Sequence, residues 1–115
     1  QHHQALFVAE QPHQGGGAAR YTVLGTDGIP TTDVSAVSLN VTATETSAPN
    51  VGGYVTVYPC DTGRPNVSNI NFRDRQIVAN AVTVPVDGNG RICLHVYGSA
   101  HLIIDVNGWF PGDTP

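Results

Sequence analysis

A chain of 115 residues is one domain able to bury a single thin core. Charged residues make up only 12% and the formal net charge is −4, which argues against nucleic acid and against an anionic membrane surface, both of which want a basic face. No run approaches the roughly 18 apolar residues of a membrane helix, and 40% apolar content is too much for a disordered chain.

The five basic side chains are all arginine, so the surface is built from Thr, Ser, Asn, Gln and Gly. The chain opens on Gln1-His-His3, where a free amino terminus with histidine third could wrap Cu(II) or Ni(II) in a square-planar nitrogen site. His3 is thus a weak metal candidate, set against reading His2, His3 and His13 as tail residues. No secretion signal opens the chain, which suggests a mature form or an excised domain. Residues 5–9 read as a first strand, and residues 10–18, with Gly15-Gly-Gly17, as a flexible link. The expected organisation is an N-terminal segment over residues 1–18, flexible or a first strand, followed by one β-sandwich domain over residues 19–112.

From residue 19 onward the dominant pattern is alternation with period two, and a helical period is hard to find. A strand is expected over residues 19–24, then a turn at Thr26-Asp-Gly-Ile-Pro30. Val37, Leu39, Val41 and Ala43 alternate with Ser38, Asn40, Thr42 and Thr44. The loop at 47–53 reads as a hairpin. Val55 and Val57 then alternate with Tyr54, Thr56 and Tyr58, and residues 61–65 form a loop. Strands follow near residues 68–72 and over 76–86, where Val78, Val82, Val84 and Val86 share a face and Pro85 belongs at an edge or a strand end. Asp87-Gly-Asn-Gly90 is the strongest hairpin signal. The faint likeness of these acidic turns to a calcium loop lacks the further ligands. Ile92, Leu94 and Val96 mark the next strand, and Leu102, Ile104 and Val106 the last. Short strands with turns every ten or so residues predict an all-β fold: an antiparallel β-sandwich, jelly-roll or Ig-like, of about eight strands.

Cys60 and Cys93 are the two cysteines, and each lies on or beside a strand. The expectation is one disulfide, Cys60–Cys93, which would staple two strands and make both cysteines structural; two free buried thiols are the alternative. A bridge would add about 3–4 kcal/mol by constraining the unfolded chain.

The ordered motifs Leu39-Asn-Val-Thr-Ala-Thr44, Gly53-Tyr-Val-Thr-Val-Tyr-Pro-Cys60, Arg64-Pro-Asn-Val-Ser-Asn-Ile-Asn71 and His101-Leu-Ile-Ile-Asp-Val-Asn-Gly-Trp-Phe110 resemble an actinobacterial family of secreted, cell-surface β domains. These are often repeated or appended to extracellular hydrolases. The resemblance covers about residues 33–110 and implies no catalytic activity; it implies surface attachment or association with carbohydrate or cell wall. The family's opening strand ends in an Asp-Thr-Arg motif that this chain lacks.

Candidate ligand-binding residues are Tyr54, Tyr58, Arg64, Asn66, Asn69, Asn71 and Trp109. Amphipathic rings can stack on the C–H face of a sugar, and asparagine amides match sugar hydroxyls as donor and acceptor. The competing readings are rings that close a sheet interface and asparagines that tie down loops. His101, Asp105 and Asn107 share one strand face, with His95 expected to face the same way. A catalytic role would need a nucleophile that is not evident, and Asp105 is better read as accepting from Arg64, Arg73 or an asparagine. Asn40-Val-Thr42 and Asn66-Val-Ser68 fit glycosylation acceptors but are set aside, Asn40 being mid-strand. The expectation is a non-catalytic extracellular module, secreted or cell-wall associated, that binds a polysaccharide or cell-wall polymer. It would use no cofactor, nucleic acid or membrane insertion. The alternative is a structural or protein-interaction unit, able to self-associate, that meets another surface protein.

Overall fold

The period-two alternation resolves, among the described residues, into eight strands: β1 (His3–Glu10), β2 (Gly17–Thr22), β3 (Val34–Ser47), β4 (Gly53–Pro59), β5 (Ile70–Phe72), β6 (Val78–Pro85), β7 (Arg91–Tyr97) and β8 (Ser99–Pro111). The structure is a computed structural model and describes residues 3–10, 17–25 and 29–112. Gln1 and His2 and the side chain of His3 at the amino terminus, most of the flexible link and residues 26–28 of the turn lie outside the described residues.

All strand pairs are antiparallel and form two sheets, ordered β1-β8-β3-β6 and β2-β7-β4-β5. That order is the eight-stranded jelly roll and not the Ig-like arrangement. It also corrects two expected hairpins. Residues 47–53 join β3 to β4 and residues 87–90 join β6 to β7, and both connections carry the chain from one sheet to the other. Among the described residues β4 and β5 are the sole consecutive strands that pair, and ten residues, 60–69, separate them. Turn residues bend the chain in either case, and alternation reports a side chain's face without reporting its sheet.

The turn at 87–90 shows how a tight corner is held. Asp87 Oδ1 accepts from the backbone N–H of Asn89 and of Arg91, each at 2.8 Å, and Arg91 Nε donates to Oδ2 at 3.2 Å. Burial alone would push the Asp87 carboxyl up, but these hydrogen bonds and the Arg91 charge outweigh it and leave the group below its ordinary value. Gly90 sits at φ +75°, and a Cβ there would meet Leu24 Cγ at 2.6 Å, so glycine is required twice over.

The core lies between the sheets. Val37, Leu39 and Val41 of β3 and Leu102, Ile104 and Val106 of β8 face Val55 and Val57 of β4 and Ile92, Leu94 and Val96 of β7. Each such side chain, fully buried, contributes about 1.5–3 kcal/mol. At one margin the core-parity position of β6 is Asn80, whose Nδ2 donates to the Asn69 carbonyl at 2.8 Å and ties the two sheets together. Pro85 ends β6, an edge strand.

Candidate functional site

The outer face of the β2-β7-β4-β5 sheet is where the polar positions of two strands meet. Cross-strand neighbours are Tyr54 with Tyr97, Thr56 with His95 and Tyr58 with Cys93. Residues directly opposite in an antiparallel pair project to the same side, so these six side chains form one patch. The 60–69 loop folds back over it. Cys60 is bonded to Cys93 at a Cα–Cα distance of 5.0 Å, which fixes the loop's start. Thr56 Oγ1 donates to the Val67 carbonyl at 2.7 Å, and the Val57 N–H donates to Asn69 Oδ1 at 2.7 Å, which fixes its end. Thr56 and His95 are consequently buried, although both stand on the outward face of a two-layer sandwich.

Midway along the loop Arg64 Nη1 donates to His95 Nε2. A guanidinium has no acceptor to offer, so Nε2 must be the unprotonated ring nitrogen. Burial, and then the adjacent Arg64 charge, hold the His95 pKa below its ordinary value, which keeps the ring neutral. Tyr54 stacks on Tyr97 with ring centroids 5.5 Å apart and planes 18° from parallel, and lies 6.0 Å from the His95 ring. Between this aromatic ledge and the loop runs an open groove of about 310 Å³, lined by Tyr54, Thr56, Arg64, Pro65, Asn66, Val67 and Ser68.

Of the residues named from sequence, Tyr54, Arg64 and Asn66 come together in this groove. Tyr58 lies on the same face, beside Cys93. Asn69 is spent on the backbone of β4, a loop-tying role. Asn71 sits opposite Tyr54 in β5 and accepts from Ser68 Oγ at 3.0 Å. Trp109 stands apart on the other sheet. Between Ser38↔Gly108 and Leu39↔Val106 the ladder skips Asn107, and this bulge reverses the facing of the residues beyond it. Trp109 is therefore opposite the core residue Val37, at the end of the sandwich and 42% exposed.

Two further expectations are corrected by sheet membership. His95 does not share a face with His101 and Asp105, because β7 and β8 belong to different sheets. Arg64 engages His95 and not Asp105, which lies in register with Asn40 and Gln4. Sequence reasoning weighed Tyr97 with the other aromatic rings but left Thr56 and His95 off the binding site. Their signal was present: the Tyr54-x-Thr56 and His95-x-Tyr97 patterns put polar or aromatic groups on the non-core face of both strands.

No protein-family model matches this chain, and no curated protein matches it in sequence. Among solved structures the chain is similar to the coat protein of tobacco streak virus, at 12% identity and a TM-score of 0.45, covering 97% of this chain and 89% of that one. A structure of the dimer of that coat protein gives 13% identity and a TM-score of 0.43 over 97% and 90%.

Proposed function

We propose that this chain is a non-catalytic extracellular module that binds a carbohydrate or cell-wall polymer along the outer face of the β2-β7-β4-β5 sheet. The observation that carries the reading is the Tyr54–Tyr97 stack beside a groove edged by Arg64, Asn66 and Ser68. Rigid rings offer a sugar its apolar contact, and a few polar groups nearby orient its hydroxyls. The groove is open and shallow, which suits millimolar to micromolar affinity, about −4 to −8 kcal/mol.

The Cys60–Cys93 disulfide supports an extracellular location, since disulfides persist in oxidising compartments. The resemblance to actinobacterial surface domains points the same way. Catalysis finds little support at this site, because the unprotonated nitrogen of the buried imidazole is already occupied by Arg64.

The reading is tested by a glycan array and by retention on insoluble cell-wall polymers, comparing the parent with Tyr54→Ala and with Asn66→Ala. Retention should fall in both, with thermal midpoints recorded alongside. Asn66 is exposed in the loop, so its variant keeps the test valid if Tyr54→Ala unfolds. Absence of binding to every polymer by the folded parent would overturn the proposal.

A further inference from the structure

The strand that lines the groove also borders a second depression. Gly53, next to Tyr54, lines a second depression of about 260 Å³ together with Val51, Gly52, Asn71, Phe72, Arg73 and Gln76. The two depressions are neighbours along β4 and β5. Asn71 of the second is the cross-strand neighbour of Tyr54 and the hydrogen-bond partner of Ser68, both of which line the first.

Charge is distributed unevenly along this path. Of the five arginines, Arg75 pairs with Asp74 and Arg91 with Asp87. Among the described residues Arg20, Arg64 and Arg73 form no ion pair. Arg64 lines the first depression and Arg73 the second, while Arg20 lies opposite Cys93 on the same outer face. Neither lining contains an aspartate or a glutamate, in a chain that carries nine. Asp74, the acid nearest Arg73 in sequence, is engaged by the Ala48 N–H and by Arg75. Among the described residues, two of the three arginines without an ion pair thus stand at the two depressions.

We propose that the ligand is a chain of carboxylate-bearing sugars spanning both depressions, with one acidic group on Arg64 and another on Arg73. This rests on the carbohydrate reading above and narrows it. A guanidinium fork matches a carboxylate in two parallel hydrogen bonds. Arg64 spends one N–H on His95 and keeps the rest, and because that ring is neutral the charge of Arg64 is oriented without being cancelled. The Tyr54–Tyr97 ledge between the two cations gives a pyranose ring its stacking surface, which a flexible polyol phosphate does not use. The amides of Asn66, Asn71 and Gln76 supply donors and acceptors for hydroxyls along the way.

The test is calorimetric titration of the whole protein with galacturonate oligomers of increasing length, with the same chains fully methyl-esterified, and with poly(glycerol phosphate). Affinity for the free acid should rise with length until both arginines are reached and should fall with added salt. Arg64→Gln and Arg73→Gln should each weaken it about tenfold, the loss of one charge-assisted contact. Equal binding of the esterified chains would overturn the acidic ligand while leaving the carbohydrate reading standing. Binding of poly(glycerol phosphate) as tight as that of the sugar acid would overturn the need for a ring. An unchanged affinity in Arg73→Gln, whose side chain is exposed and whose thermal midpoint should match the parent, would remove the second subsite. Failure of all saccharides, acidic or neutral, sinks the underlying reading itself.

Discussion

Arg64 and His95 join an exposed cation of the 60–69 loop to a buried imidazole of β7, and the bond exists only while that ring is neutral. Protonation would remove the acceptor and set two positive charges face to face. The folded-state pKa of His95 is lowered, so in the unfolded chain the ring takes up its proton at a higher pH, near its ordinary value of about 6.5. Between the folded value and about 6.5 the unfolded state binds more protons. Stability is therefore complete above about 6.5 and is lost as pH falls below it. Urea midpoints measured from pH 8 to pH 5 should decline, and ligand retention should decline with them. His95→Gln can still accept from Arg64 but cannot titrate, so its profile should be flatter over that interval. An unchanged slope in the variant would assign the effect to a group other than His95.

The disulfide should matter twice. Cys60 and Cys93 are 33 residues apart, and closing a loop of that size removes unfolded-state entropy equivalent to about 3–4 kcal/mol. Replacing both by serine should lower stability by that amount in urea unfolding. It should also free the start of the 60–69 loop, leaving Thr56, Asn69 and Arg64 to hold it. Ligand retention should drop further than the stability of the sandwich requires, even well below the unfolding transition. Full retention in the folded double variant would show that the bridge serves the fold alone.

Gly53 is a site where one methyl group should be felt. A Cβ there would lie 2.6 Å from Phe72 Cε1 and Cζ and 2.6 Å from the Tyr97 carbonyl oxygen. Phe72 is buried and fills the space that a side chain would otherwise occupy. Gly53→Ala should cost roughly 1–3 kcal/mol by overpacking. It should also disturb the boundary between the two depressions. A thermal midpoint equal to the parent's would mean that β5 can shift away from β4 at little cost.

Much of this architecture is legible in the residues. Val37 to Ala43, Val55 and Val57, and Leu102 to Val106 mark their strands and their core faces by alternation, and their apolar positions are buried as that pattern requires. Sheet membership is not written in that way. The loops at 47–53 and 87–90 carry hairpin chemistry yet turn the corner between sheets, because the local bend is the same and the partner strand is distant in sequence. Trp109 shows a second limit: counted from Val106, alternation puts it outside, and the single extra residue Asn107 returns it to the core side. The site was half legible for a related reason. Tyr54 and Arg64 are conspicuous, but the burial of Thr56 and His95 comes from a loop strapped over a face that alternation marks as wet.

The last expectation concerns assembly through a sheet edge, the alternative way such a domain could act. An edge strand offers unpaired N–H and C=O groups to another chain. In β6 the antiparallel ladder turns alternate N–H groups toward β3, with Val86 donating to the Ser35 carbonyl at 3.2 Å, and the others outward. The outward set is Ala79, Ala81 and Thr83, and position 85, where proline has no N–H. Asn80 Oδ1 accepts from the Ala81 N–H at 3.0 Å, so the central donor of the edge is already occupied. Two of the four positions are thus closed to a partner strand. Light scattering should find the parent's mass independent of concentration, whereas Asn80→Ala with Pro85→Val should associate as concentration rises. The Asn80 change alone should cost about 1 kcal/mol or less, since its bonds are exposed. Concentration-dependent growth of the parent, unaltered by the double change, would mean that assembly uses a different edge and would revive the structural role.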